Sequence, residues 1–310
     1  MAKDTSKSLK GFMLRMPTQL HESIASAAAK NSQSINAEIV SRLEVSLLTG
    51  VVGRLKSLLE QLQEVLGSDQ ISVSILAEGV GEDTPSRLEQ VFAGREEASF
   101  ELLDKIAEYM KVNAKWLKHG VGQPFEVSLV NDNGIDLVFQ LMGEMAETTF
   151  LIRSDSQYGE VCIVQKFTNR NWKLLNPNMN LSLNLQVGGL YALGSFANAC
   201  RLLYAANLTK THSYMMESSL FNEVVRGDAH PLAALKKSRR SYWFDDWWDF
   251  ELISSEKRRP DCWEGYAELC KSVHRYIMDD DKLRNELEDI RSGKLTKMIE
   301  AEQWRIASET

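Results

Sequence analysis

The stretch of sequence that decides the N-terminal fold is residues 11–48, which read GFMLRMPTQLHESIASAAAKNSQSINAEIVSRLEVSLL. Its first six residues alternate with the two-residue period of a β-strand. One side of this predicted strand carries Phe12, Leu14 and Met16, and the other side carries Gly11, Met13 and Arg15. The strand ends at Pro17, because proline has no backbone N–H for a strand ladder.

After Pro17 the apolar residues recur at helical spacing. The first stripe consists of Leu20, Ile24, Ala27 and Ala28, and the second consists of Ile35, Ile39, Leu43 and Leu47. The polar pair Asn31-Ser32 separates the two stripes, and Ser34 is placed to act as the N-cap of the second helix. Residues 11–48 therefore predict a strand, a helix, a turn and a second helix.

The apolar side of the predicted strand has no second strand to pair with inside this segment. An identical chain can supply one in antiparallel pairing, which gives a two-stranded ribbon backed by four helices. The outward residues of both strands would then form a ridge narrow enough to enter the major groove of DNA. The segment thus predicts a homodimer, or a higher homo-oligomer, that binds double-stranded DNA.

Two motifs, FMLRMP at 12–17 and NSQSINAEIVSRL at 31–43, resemble the ribbon-helix-helix repressors, and the Arc type in particular. The resemblance covers residues 8–50. It implies base contacts by Gly11, Met13 and Arg15, and phosphate contacts by Ser34 and Asn36 at the N-terminus of the second helix. Gly11 and Met13 replace polar base-reading residues of the family, so the bidentate contact to guanine falls to Arg15.

The family also buries a network of three charged side chains. Glu38 and Arg42 occupy two of these positions as an i, i+4 pair, whereas Gln33 stands at the first. These departures leave an alternative open, in which residues 1–50 form an interaction or dimerisation module that has lost its DNA contacts. The phosphate contact implied for Ser34 and Asn36 favours DNA binding.

Residues 51–126 predict a bundle of short helices separated by Gly-containing turns. The predicted helical segments are Val51 to Leu66, Leu76 to Val80, Pro85 to Phe92, Ser99 to Met110, and Ala114 to Leu117. Their order, with SRLEQVFAG at 86–94, resembles the lambda-repressor/Cro-like (XRE-type) helix-turn-helix domains. That resemblance places Pro85, Ser86, Arg87 and Gln90 near base edges. Acidic residues around them would repel phosphate. An alternative therefore stays open, in which the bundle serves for packing or for contact with another protein.

Residues 127–310 resemble no family, and their patterns predict an α+β domain. The predicted elements are strands at Phe150 to Arg153, Val161 to Phe167 and Trp172 to Leu175, an Asn-rich turn at 176–184, a buried helix at 188–206, and charged helices after Asp261. The whole chain is therefore expected to be a mainly α, multi-domain protein. Its expected parts are a ribbon-helix-helix module (1–50), a helix-turn-helix bundle (51–126) and an α+β domain (127–310) for oligomerisation, partner binding or ligand sensing.

A basic and aromatic run at 236–250, KKSRRSYWFDDWWDF, allows two structures. Its aromatic side chains could stack on single-stranded nucleic acid beside the lysines and arginines, or they could form a core or dimer seam flanked by solvated charge. The sequence favours the seam. The carboxylates Asp245, Asp246, Asp249 and Glu251 lie too close together in sequence to converge on one metal ion without further ligands.

Charge supports the assignment of DNA binding to the N-terminal module. The net charge of the chain is -7, but residues 1–50 carry six Lys and Arg against four Asp and Glu. The N-terminal module therefore has a net positive charge, which the negative phosphates of DNA attract. The four cysteines, Cys162, Cys200, Cys262 and Cys270, lack a zinc-site spacing and are expected to be reduced core residues. With no signal-peptide pattern and no membrane span, the chain is expected to be cytoplasmic.

The sequence contains no motif of a nucleotide-binding loop, a zinc protease or a serine hydrolase, so we expect no enzyme, no catalytic residue, no metal and no cofactor. The favoured function is a transcriptional regulator, specifically a repressor of the kind that phages and other mobile elements carry. The alternative is an antitoxin-like or antirepressor-like protein whose C-terminal domain binds another protein. A small ligand is a further possible partner for that domain.

Overall fold

The computed structural model describes residues 13–31, 33–40, 43, 50–130, 134–143, 145–168, 171–183, 189–206, 211–255 and 262–309. The predictions for Gly11, Phe12, Ser32, Arg42 and Leu47 lie outside these residues. No helix in the described part of the chain is both long and apolar enough to cross a membrane.

The N-terminal module contains the two predicted helices. Helix α1 is Thr18–Lys30, directly after Pro17, and helix α2 covers residues 35–40. Helix α1 buries Ile24 and Ala28, two members of its predicted apolar stripe. Residues 13–17 form neither helix nor strand in the single chain. The ribbon would need hydrogen bonds from a second chain, so it stays a prediction.

Residues 51–126 form the expected bundle of short helices. These are α3 (Val51–Leu66), α4 (Val73–Gly79), α5 (Ser86–Phe92), α6 (Phe100–Met110) and α7 (Ala114–His119). Ser72, Ser99 and Asn113 cap α4, α6 and α7 with their side-chain oxygens, which satisfies backbone N–H groups at each start. The helices surround a core that includes Leu55, Leu58, Leu76, Leu88, Leu103, Ile106 and Leu117.

The C-terminal part is built on a six-stranded mixed sheet with the order β1-β4-β3-β2-β5-β6. The strands are β1 (Ser128–Leu129), β2 (Thr148–Ser154), β3 (Glu160–Lys166), β4 (Trp172–Asn180), β5 (Thr211–Met216) and β6 (Arg239–Ser241). β2, β3 and β4 form an antiparallel meander. β5 runs parallel to β2 and β1 runs parallel to β4, whereas β6 pairs antiparallel with β5. The predicted α+β domain is thus present.

Nine helices complete the described part of this domain: α8 (Ile135–Gly143), α9 (Gly189–Ala205), α10 (Ser218–Arg226), α11 (Pro231–Lys236), α12 (Trp243–Asp246), α13 (Phe250–Ser254), α14 (Tyr266–Asp279), α15 (Asp281–Arg291) and α16 (Lys294–Glu309). Alternate strand residues face opposite sides of the sheet. Leu151 and Ile163 belong to a core shared with α8, α9 and α14–α16, whereas Ile152 and Val164 pack with α10 and α11. Helices therefore cover both faces.

The prediction of an Asn-rich turn at 176–184 is wrong at its start, because β4 continues to Asn180. The pairing of β4 with β3 shifts register at this point, between Val161 and Ile163, and Asn178 takes a left-handed φ of 49°. Such a bulge accommodates a proline inside a sheet, since the missing N–H falls where the ladder is already interrupted.

The predicted buried helix is confirmed as α9, and hydrogen bonds from two of its buried polar residues attach it to neighbouring elements. Asn198 Nδ2 donates to the Leu283 carbonyl oxygen of α15 at 3.0 Å. Arg201 Nη2 donates to the Trp248 carbonyl oxygen at 2.7 Å. Cys162, Cys200 and Cys270 are buried free thiols whose pKa burial raises, so the prediction of reduced core cysteines holds for these three.

The helical bundle and the sheet domain meet without an intervening linker. Phe125 belongs to the core of the bundle, yet its ring lies 5.7 Å from that of Trp172 on β4 and 5.1 Å from that of His230. The Phe125 N–H donates to the Gly227 carbonyl oxygen at 3.1 Å. Gln61 of α3 accepts a hydrogen bond from the His230 N–H at 2.9 Å. The boundary expected near residue 126 is therefore a packed interface.

Candidate nucleic-acid interface

The predicted base-contacting residues of the N-terminal module are open to solvent. Met13 is 87% exposed and Arg15 is also exposed, while Gly11 lies outside the described residues. Leu14, on the opposite side of the predicted strand, is 51% exposed. Met13, Leu14 and Arg15 are therefore open to solvent in the single chain, whereas Met16 is half-buried, and the intermolecular strand stays a prediction.

Ser34 and Asn36 are both exposed at the start of α2. Ser34 Oγ accepts a hydrogen bond from the Ala37 N–H at 3.1 Å, which confirms the predicted N-cap. The cap fixes where the first turn of α2 begins. Backbone N–H groups at the start of a helix can bind phosphate. The resemblance to ribbon-helix-helix proteins implies that this helix start, with the Asn36 side chain, contacts the DNA backbone.

The turn between α1 and α2 is organised around a buried carboxylate, Glu38, which is 5% exposed. Its Oε2 accepts hydrogen bonds from Asn31 Nδ2 at 3.0 Å and from Gln33 Nε2. Gln33 thus keeps contact with Glu38 although it lacks the charge of the family's residue. The sequence pattern predicts Asn31 only as part of the polar pair that separates the two apolar stripes. The signal available in the sequence was an amide side chain, Asn31, just before the turn and a carboxylate, Glu38, in the helix just after it.

We expect Glu38→Ala to loosen this turn, because the exposed amides of Asn31 and Gln33 would lose the buried carboxylate that they bind. The net loss of such hydrogen bonds is about 0.5–1.5 kcal/mol, since water can solvate the released amides. Amide hydrogen exchange at Ala37 and Glu38 should therefore accelerate by about twofold to tenfold. The exposed Glu22 on α1 provides the control, since Glu22→Ala should leave these amides unchanged. Equal exchange in the wild type and in Glu38→Ala would show that the network does not hold the turn.

In the helical bundle, α5 brings the other predicted contact residues together. Ser86, Arg87 and Gln90 are all exposed on this helix. Arg87, however, forms ion pairs at 3.1 Å with Glu82 and at 3.1 Å with Glu96. A hydrogen bond to Glu96 and the charge of Glu82 raise the pKa of Arg87 above its ordinary value. The cation that would approach phosphate or guanine is therefore held between two carboxylates.

The basic and aromatic run at 236–250 does not present its tryptophans to solvent. Trp243 and Trp247 are fully buried, and Trp248 is nearly so. They cannot stack on a nucleic-acid base, so the core alternative is correct for these residues. The Asp249 carboxylate caps α13 by accepting from the Leu252 N–H. Among the residues that the structure describes, no three His, Cys, Asp or Glu side chains are grouped to hold a metal ion.

Comparison with known proteins gives one family match. Residues 6–53 match the family model described as the Arc-like DNA-binding domain. The match includes the predicted strand, α1 and α2, and it agrees with the resemblance assigned from residues 8–50. No curated protein and no solved structure matches the chain. The N-terminal module is thus an Arc-like DNA-binding domain, and the helix-turn-helix resemblance of residues 51–126 stays a prediction.

Proposed function

We propose that this chain is a sequence-specific transcriptional regulator, and specifically a repressor, that binds its operator as a homodimer through an intersubunit β-ribbon. The observation that carries the proposal is the match of residues 6–53 to the Arc-like DNA-binding domain. In each subunit Arg15 would contact guanine in the major groove, with Met13 and Gly11 beside it. Ser34 and Asn36 would fix the ribbon on the phosphate backbone.

The exposed apolar surface of the module supports the dimer. Large apolar side chains away from the predicted DNA-facing side remain open to solvent in both helices and in the segment before them: Leu14, Leu20, Val40 and Leu43. A module of about fifty residues buries too little surface to be stable with so many of these exposed. A second copy that pairs its strand with this one would cover them and would complete the ribbon.

In this proposal the helical bundle and the sheet domain act as one large body that the ribbon holds on the DNA. The helical bundle packs directly on the sheet domain through Phe125, Trp172 and His230, so the two would move as one body. In this proposal the bundle contributes little to DNA affinity while Arg87 stays paired with Glu82 and Glu96. Occlusion of a promoter by this large C-terminal body would block polymerase, which is the action of a repressor. A phage or mobile-element origin would fit this arrangement.

The experiment is a fluorescence titration of the full chain with its own upstream DNA across a salt series. Arg15→Ala should weaken binding by about tenfold to a hundredfold and relax the preference for guanine at one position of each half-site. Deletion of residues 1–50 should abolish specific binding and the steep dependence on salt.

The matched control is Lys56→Ala, which removes an exposed basic residue of α3, outside residues 1–50. It should change affinity less than about threefold, because Lys56 lies outside the predicted contact residues. Specific binding that survives deletion of residues 1–50 would reject the ribbon as the reader and would point to α5 of the bundle instead.

A further inference from the structure

A broad groove lies where the helical bundle meets the sheet domain. Its volume is about 1230 Å³, and both units line it. The bundle contributes the turn after α6, with Lys111 and Asn113, and the sheet domain contributes β4 and the end of α10. A groove of this volume has room for a ligand of nucleotide size.

Positive charge and aromatic surface meet in the lining of this groove. The lining includes three cationic side chains, Lys111, Lys173 and Arg226, but one carboxylate, Glu126, in a chain whose net charge is -7. Arg226 also pairs with Asp228 at 3.3 Å through its Nε. Phe167 and Trp172 provide the apolar wall. Such a lining favours an anion that also carries a planar, apolar part.

The base of the groove is held rigidly. The segment that leads out of the bundle is tied down by two hydrogen bonds, from the Asn113 N–H to the Pro124 carbonyl at 2.9 Å and from the Phe125 N–H to the Gly227 carbonyl at 3.1 Å. A Cβ atom at Gly227 would lie only 2.2 Å from the Phe125 carbonyl oxygen, so this close approach requires glycine. A preformed site of this kind binds without a large ordering cost.

We propose that this groove is a binding site for a small organic anion with a planar ring, held by Lys111 and Arg226 and packed against Trp172. The site is separate from the DNA-contacting residues of the N-terminal module, and the proposal does not depend on DNA binding. Because both units line the groove, a bound ligand would bridge the helical bundle and the sheet domain.

The test uses two fluorescent probes of nearly the same shape, 1-anilinonaphthalene-8-sulfonate, which is an anion, and N-phenyl-1-naphthylamine, which is neutral. Each is titrated into the full-length chain and into a Lys111→Asn/Arg226→Gln double variant. Asparagine suits position 111, because Lys111 has a left-handed φ of 56°. A control variant, Lys105→Gln/Lys297→Gln, removes two exposed cations outside the groove.

The dissociation constant of the sulfonate should rise about tenfold in the groove variant, and that of the neutral probe should change less than twofold. The control should bind both probes like the wild type. If the double variant fails to fold, the single Arg226→Gln change should still weaken sulfonate binding about threefold. Sulfonate binding unchanged by the groove substitutions, or lost equally for both probes, would overturn the proposal.

Discussion

Lowering the pH from 7 to 4 is expected to cost the chain about 3 kcal/mol of its free energy of unfolding through one side chain, His230. Burial lowers the pKa of His230 from 6.5 to about 4. The neutral ring is also needed in the folded state, because its Nδ1 accepts the Leu232 N–H at 3.2 Å and caps α11. Protonation at Nδ1 would remove that acceptor.

The unfolding free energy falls with decreasing pH because the unfolded chain binds the proton on His230 more readily than the folded chain does. The unfolded chain takes up a proton on His230 near its ordinary pKa of 6.5, whereas the folded chain resists protonation until about pH 4. The stabilisation is therefore fully present above about pH 6.5 and is lost as the pH falls towards 4. Urea unfolding at pH 7, 5.5 and 4 measures this loss directly.

The contribution of His230 is isolated by comparing how the unfolding free energy depends on pH in the wild type and in two histidine variants. His230→Gln keeps a side-chain oxygen that can cap α11 but has no group that titrates in this range, so its stability should fall by about 3 kcal/mol less than that of the wild type. His21→Gln changes an exposed histidine on α1 and should retain the full effect. If the unfolding free energy of His230→Gln falls with pH as steeply as that of the wild type, other groups cause the pH dependence.

His230 also marks what the sequence could not predict. Its ring packs 5.2 Å from that of Trp172 and 5.1 Å from that of Phe125, although the three residues are far apart in the chain. The five histidines are scattered along the sequence, and periodicity reports only neighbours along one element. Contacts between separate elements leave no comparable pattern in a single sequence. The packed interface between bundle and sheet was missed for this reason.

Features that depend on local pattern were predicted well. The apolar stripes placed α1 and the helices of the bundle, and the Ser34 cap placed the start of α2. Apolar runs with β-branched residues placed β2 and β3. β4 was predicted too short, because the bulge that accommodates Pro177 depends on its partner strand. The Glu82 and Glu96 pairs of Arg87 likewise depend on how a turn folds back beside α5.

Replacing Trp243 by alanine is expected to have the largest effect on stability, a loss of about 3–5 kcal/mol of the free energy of unfolding. The Trp243 side chain is fully buried, and its Nε1–H donates to the Tyr214 carbonyl oxygen at 3.0 Å. Truncation would therefore open a large cavity beside the sheet and remove the donor to the Tyr214 carbonyl oxygen. Urea unfolding at pH 7 measures the loss.

Tyr242, the preceding residue, provides a matched control for this prediction. Tyr242 is 49% exposed, so Tyr242→Ala should change the free energy of unfolding by less than about 1 kcal/mol. The pair also separates the two interpretations of the aromatic run. A core role predicts a large stability loss for Trp243→Ala alone, whereas a stacking role in nucleic-acid binding predicts weaker binding of single-stranded DNA at nearly unchanged stability. Because the ring of Trp243 is enclosed by its own domain, we expect the first outcome.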